Sequence, residues 1–590
     1  MNYSSEFIKN LYQDRDKIII GLTGRTGSGC TSAAQILSQT SFQSISMTDI
    51  NQLTGNQKRK ALVIHKHARA TWKGFYIITV SSVIIFITLK SLKQNTPYNL
   101  TSKTESLLRE LNDIVIKTKP NDITYEFAKS ISEKILESSP NKSDYKIALQ
   151  ELGDNLRSSG DPLIKKENPK KCFLLQEEIA QIIKDNEEFY SYFVIDAIRN
   201  PYEAQYFKQR FSYFHLVAIT VDDETRRRRL SKLGYTNFDI NRIDYKEGMD
   251  LKDIDLNEDE KGRLKEIIQT VGELYSQNIG LCLESSDIFI SNATEDIKTT
   301  KNPRSLADQL IKFVSLMKRP GLVTPTSIER CMQVAFMSKY NSGCLSRQVG
   351  AVVTTSQYSI ISVGWNDVAR GQVPCNLRNA ELYINNHDNA AFSEFELGNE
   401  KFSQQINTIY KEKVATFKIN DYAKAITISY CFKDEYNSIT KKSNQVFTRA
   451  LHAEENAFLQ ISKRGGTSIE GGYLFTTASP CELCAKKAYQ LGVVKIFYVD
   501  PYPGIAQDLF LKAGDARPEL ILFSGAIGRS YDQLYRPLMP MKDEIKNWHE
   551  LPSCIFFDGS HSISKVSGSS PSSARSAARA HPPAWQTRRW

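Results

Sequence analysis

An apolar run that stops at a cluster of glycines and restarts as a helix leaves few architectures open to a chain. The stretch KIIIGLTG (Lys17–Gly24), continued by RTGSGCTSAAQIL, has this form. It reads as a strand feeding a glycine loop, with AAQIL opening the helix that follows. Such a unit belongs in an α/β domain whose sheet is mainly parallel. Gly24, Gly29 and Thr31 fit the spacing of the phosphate-loop pattern G-x-x-x-x-G-K-[ST], and Gly27 lies between them. The lysine of that pattern is replaced by Cys30. Backbone amides of residues 25 to 30 and the Thr31 hydroxyl can still cradle phosphate and Mg2+. A thiol cannot supply the positive charge that stabilises a phosphoryl group in flight. Arg25 is the nearby cation able to compensate. The expectation is a nucleotide-binding or sensing site, with Mg2+, and not a working kinase.

The same alternation continues downstream. SYFVIDAIRNPYEAQYF gives a second buried strand ending near Asp196 and Arg199, followed by a helix. FHLVAITV and SDIFISNA give further strands, the latter expected to be the last of this domain. GFYIITVSSVIIFITL (Gly74–Leu89) is 16 residues long and carries two serines and two threonines. That falls short of the ~20 apolar residues a membrane-spanning helix needs, so it predicts a buried strand running into a core helix and no membrane anchor. RRRRL (Arg226–Leu230) fits either a basic lid over phosphates or a solvated helix face.

Charged residues Asp14 to Lys17 stand where the apolar core of a signal peptide would be required. The ten cysteines are scattered, with one close pair, which predicts a reduced, cytoplasmic protein. A net charge of +10 invites a nucleic-acid reading, but the last 30 residues contribute +5 of it. The expected organisation is a P-loop domain over 15–300, a second α/β domain over 319–558 with a polar insertion at 376–448, and a disordered basic tail at 559–590.

Chemistry concentrates in the second domain. HAE (His452–Glu454) is followed 29 residues after the histidine by PCELC (Pro480–Cys484). One imidazole and two thiolates satisfy a catalytic zinc that keeps a fourth position open for water. Cys481 and Cys484 lie one helical turn apart, and a helix opened at Pro480 would favour their thiolate forms. Glu454 stands close enough to the histidine ligand to exchange protons with the metal's water. A lone C-x-x-C could instead be structural zinc or a redox pair. A closed structural site needs a fourth ligand, and none is adjacent.

This H-x-E…P-C-x-x-C order is the signature of zinc nucleobase deaminases. SGCLSRQVGAVVTTSQYSIISVGWND also resembles the opening hairpin of deoxycytidylate deaminases. LQELGDNLR, VIDAIRNPYEAQYF, CFKDEYN and FSGAIGRSYDQLYRPLMPMKDE extend the likeness. The whole chain, from about residue 15 to 558, is similar to the bacterial anti-phage dCTP/dCMP deaminases, a P-loop kinase-like domain fused to a cytidine-deaminase-like α/β/α domain. The resemblance implies Zn2+ held by His452, Cys481 and Cys484, with Glu454 as the catalytic acid and base. It implies free dCTP or dCMP as substrate, Asn366 at the sugar, and depletion of the deoxycytidine nucleotide pool during infection. It also implies a homo-oligomer, hexameric by analogy, and a regulatory small RNA. Arg347 and Lys542 are candidates for the substrate phosphates, Tyr502 or Tyr531 for stacking on the base. Cys344 and Cys375 are either a second metal site or buried thiols. Two other readings stay open: a polynucleotide-editing deaminase, and a nucleotide-sensing protein whose deaminase site is idle.

Overall fold

Strands β1 (Ile18–Thr23), β2 (Tyr76–Thr79), β3 (Tyr192–Asp196), β4 (Phe214–Thr220) and β5 (Ile288–Ser291) come from the first half of the chain. The second half supplies β6 (Gly350–Thr354), β7 (Ile360–Trp365), β8 (Asp367–Val368) and β9 (Ala450–Leu451). It continues with β10 (Tyr473–Ala478), β11 (Lys495–Asp500), β12 (Glu519–Leu522) and β13 (Gly525–Ala526). This computed structural model describes residues 3–549 except 14–15, 95–97, 99, 139–141, 250–253, 255, 268–273, 293–304, 386–387, 443, 501–509 and 516. The expected basic tail at 559–590 lies outside the described residues.

The first sheet has the order β13-β5-β4-β1-β3-β2, parallel throughout except for β13. Every residue of β1, β3 and β4 is buried, as strands covered by helices on both faces must be. The chain leaves β1 for β2 on one side and reaches β4 on the other, so strand order reverses at the carboxyl end of β1. That is where ligands bind in open parallel sheets, and it is where the glycine loop sits. The apolar segment 74–89 divides as expected into β2 and the helix Val80–Lys93, in which eleven of fourteen residues are buried. Helices of the β2–β3 insertion, including Lys142–Ser159, pack around it. Among the described residues no helix is long and apolar enough to cross a membrane.

The second sheet has the order β12-β11-β10-β6-β7, with β10, β11 and β12 parallel and β6 antiparallel to both its neighbours. Period-two alternation builds two cores. Val352 and Phe475 face the helix Ser327–Ser338, while Ala351, Val353 and Leu474 face the helices Ala453–Lys463 and Glu482–Gln490. The insertion at 376–448 forms its own aromatic cluster around Phe402, Tyr430 and Phe432. At its centre Arg378, fully buried, pairs with Glu396.

The two halves interlock across the boundary expected at 300–319. The helix Leu306–Lys318 is buried in the core of the first sheet. Gly525 and Ala526 pair with Phe289 and Ile288, so β13, and not β5, forms that edge. Arg226 departs from both sequence readings. It is 1% exposed, paired with Asp223 at 2.7 Å and Asp244 at 2.8 Å, and it donates to the Thr26 carbonyl at 3.3 Å. An arginine in a run of four is here a buried strut beneath the glycine loop.

Candidate active site

Two helix starts bring the chemistry together. His452 is the N-cap residue of the helix Ala453–Lys463, and Cys481 is the N-cap of Glu482–Gln490. Both helices lie on the same face of the second sheet. Their approach depends on Gly364 in β7, where a Cβ atom would lie 2.3 Å from the Ala453 carbonyl oxygen and 2.4 Å from the Ala457 nitrogen. The result places His452 Nδ1 3.3 Å from Cys481 Sγ and 3.6 Å from Cys484 Sγ. All three ligand atoms fall within 4.8 Å of one another, and no other such group of metal-binding side chains occurs among the described residues. A hydrogen bond with Cys484 and the neighbouring His452 hold the Cys481 thiol well below the usual range, while Cys484 is pushed up correspondingly. One imidazole and two cysteine sulfurs, one of them already acidified, fit a zinc ion with a position left open.

Glu454 is 4% exposed at the base of the same cavity, and burial raises its carboxyl above the usual range. Its Oε1 lies 3.1 Å from Thr476 Oγ1, which is also 2.8 Å from the Ala478 carbonyl oxygen. One hydroxyl proton serves one acceptor at a time. When it goes to Ala478, Glu454 needs a proton of its own to keep its bond to Thr476.

The cavity holds about 440 Å³. Arg347 and Asn366 line it. Arg347 is paired with Asp500 and with Glu284, the latter at 2.9 Å. Asn366 spans the Arg347 carbonyl and the Val349 nitrogen, each at 2.6 Å, so its amide already braces the wall. Tyr502 lies outside the described residues. Tyr531 packs against Tyr535 and Lys542 sits on an exposed helix face, neither of them on this cavity. Cys344 and Cys375 do line it, together with Cys431. Phe432 and Lys433 from the insertion, and Arg449 just past its end, line it as well. The sequence marked Phe432 and Lys433 only as part of CFKDEYN, with no role attached, and did not single out Arg449.

A second cavity of about 530 Å³ opens at the end of β1. Arg25, Gly27, Gly29, Cys30, Thr31 and Asp196 all line it. Gly24 makes the turn behind them with a φ of 156°, its missing Cβ only 2.4 Å from the Ile219 carbonyl oxygen. Lys146, Arg199 and Arg229 also reach this cavity.

Residues 325–500 match the family model described as the cytidine and deoxycytidylate deaminase zinc-binding region. The deoxycytidylate deaminase of Enterobacteria phage T2 is 32% identical over 171 residues, which cover 29% of this chain and 78% of the phage protein. That of Enterobacteria phage T4 is 30% identical, covering 29% and 76%. A crystal structure of dCMP deaminase from the cyanophage S-TIM5, in complex with dCMP and dUMP, aligns at 23% identity. It covers 33% of this chain and 95% of that one, with a TM-score of 0.20.

Proposed function

The chain belongs to the deoxycytidylate deaminase family through its second half, and from that premise we propose that the 440 Å³ cavity deaminates free deoxycytidine nucleotides, dCMP or dCTP. The observation that carries this reading is a buried carboxyl, Glu454, in the cavity lined by His452 and Cys481, with Cys484 buried within ligand distance of both. The family's zinc-binding region implies Zn2+. An ion held by those three residues supplies the Lewis acidity that brings a water's pKa from 15.7 to ~7.

Glu454 does the proton work. It accepts a proton from the attacking water, delivers one to N3 of the cytosine, and then assists the 4-amino group to leave as ammonia. The C4–N bond breaks, a C4–O bond forms, and the product is the deoxyuridine nucleotide. Burial suits Glu454 to this alternation, because it raises the carboxyl above its usual range and so eases its protonation. Arg347, Lys433 and Arg449 put positive charge on the wall for the substrate's phosphates. The insertion walls the cavity on one side, which supports a free nucleotide over a polynucleotide. We extend the reading, as the resemblance implies, to depletion of the deoxycytidine nucleotide pool in anti-phage defence, by a homo-oligomer under the control of a small RNA. At the glycine loop we read a nucleotide site with Mg2+, a reading supported by Thr31 and Asp196 both lining that cavity.

The test is incubation of the full chain with dCMP, dCTP, CTP and a cytosine oligonucleotide beside a Glu454→Ala variant. Deoxyuridine nucleotide formed only with Glu454 present is the expected result. Conversion of the oligonucleotide alone would overturn the free-nucleotide reading, and no conversion by a zinc-loaded protein would overturn the enzyme.

A further inference from the structure

The glycine-loop cavity gathers charge that the deaminase chemistry does not use. At the position of the usual lysine, Cys30 is buried and its thiol is pushed up to about 12 by that burial and by Asp196. It is neutral at physiological pH. A cation reaches the loop from elsewhere. Lys146, on the helix Lys142–Ser159 of the β2–β3 insertion, donates from Nζ to Thr26 Oγ1 at 2.7 Å. Among the described residues it makes no ion pair with a carboxylate; its partner is a neutral hydroxyl, which a phosphate oxygen can replace without breaking a charge pair.

Arg25, Arg199 and Arg229 converge on the same cavity from three further segments, against Asp196 as the one carboxylate of its lining. Arg199 is held by Glu247, which also accepts from the Thr26 nitrogen at 3.2 Å, and Arg25 stands 3.9 Å from Asp223. Three arginines and an amine reach about 530 Å³ from four segments and present separated donors to an anion, although Asp196, Glu247 and Asp223 offset much of their charge. Donors spread around a cavity in this way suit an extended chain of phosphates better than a single phosphate group.

We propose that Lys146 takes the place of the missing loop lysine, and that this cavity binds the polyphosphate chain of a nucleoside triphosphate with its terminal group against Lys146 and Arg199. The inference rests on the nucleotide reading of the glycine loop given above. A pH signature accompanies it. Burial and Arg199 bring the Lys146 amine down to about 7, with Arg242 and Arg226 acting in the same sense and Glu247 opposing them. An amine about half protonated at pH 7 takes up a proton as the polyanion docks. Affinity then falls as pH rises above 7, by up to about tenfold per unit for one proton.

Titration calorimetry on the full chain, with Mg-ATP and with inorganic tripolyphosphate at pH 7 and 8.5, tests this. Both ligands should bind, and more weakly at the higher pH. Lys146→Met should weaken both at least tenfold and flatten the pH dependence. Adding Cys30→Lys to that variant should restore the affinity, which separates lost charge from a damaged fold. A Lys146→Met protein with wild-type affinity and pH slope would overturn the role of Lys146 while leaving the nucleotide reading intact. Binding of ATP without tripolyphosphate would overturn the polyphosphate assignment. No binding of either to the wild-type chain would overturn the nucleotide reading itself.

Discussion

Arg347, on the wall of the deaminase cavity, forms an ion pair with Glu284, a residue of the other half of the chain, at 2.9 Å. The same guanidinium pairs with Asp500 at the end of β11, and Asp500 also lies within the field of Arg25 from the glycine loop. Arg347 is thus held between a carboxylate from each half of the chain.

Glu284→Gln removes one of the two carboxylates that compete with substrate for Arg347. Both partners are partly exposed, so the pair is worth about 0.2–1 kcal/mol. The expected outcome is a KM for dCMP lowered by about 1.4- to fivefold with kcat unchanged within about twofold. Steady-state kinetics on the purified variant checks it, and a raised KM would show that Glu284 holds Arg347 in its working position.

Glu454→Gln keeps the shape of the carboxyl but cannot shuttle a proton. Loss of a positioned general acid–base group predicts a fall in kcat of about 10²–10⁴-fold. Zinc, measured by atomic emission, should stay at the wild-type level. Cys484→Ser should instead lose both zinc and turnover, and a chelator should reproduce that loss in the wild type.

Glu329 is the buried knot between the halves. Its carboxylate accepts from Lys312 at 2.8 Å, Tyr535 at 2.6 Å, the Ala526 nitrogen at 3.2 Å and the Thr326 hydroxyl at 2.9 Å. Burial alone would raise its pKa, but Lys312 and these hydrogen bonds outweigh burial and hold it at about 2. A carboxyl depressed on folding stabilises fully above its unfolded value near 4.5, and that stabilisation is lost as pH falls toward about 2. Lys312→Met leaves the charge without its main partner and should cost about 3–5 kcal/mol at pH 7. The gap between variant and wild type should narrow at pH 3. Denaturant midpoints at the two pH values measure both effects.

Gly364→Ala should impair the site without touching a ligand. The added methyl meets backbone atoms, not a side chain that can rotate away, so the helix bearing Glu454 must shift. A displacement of about 1 Å is enough to cost roughly 10²-fold in rate. Retained zinc with kcat lowered by that order is the expected result. Wild-type kcat would mean that the helix relaxes in place.

The legible parts of this protein were those written locally. His452, Glu454, Cys481 and Cys484 sit in two short motifs whose spacing reflects helix starts, and the structure gathers the three ligands with the carboxyl beside them. The segment 74–89 was readable because strand and helix differ in length and composition. Lys146 was not, since its role depends on a helix folding back over a loop 120 residues earlier. Arg226 looked like a surface charge because sequence shows a run of arginines but not Asp244, which neutralises it from another helix. Two residues of β13 carry no strand signal of their own; only Ile288 and Phe289 across the sheet make them one.

That last pairing bears on how the chain is born. The first sheet has its other strands by Ser291, yet the edge of β5 is covered only by Gly525 and Ala526, about 230 residues later. At a ribosomal pace of about 5–20 residues per second, the edge waits roughly 10–50 s for its partner. Through that interval it offers unsatisfied backbone groups to any passing strand, another nascent copy included. Slower translation of the second half lengthens the exposure, and a premature stop before residue 525 makes it permanent.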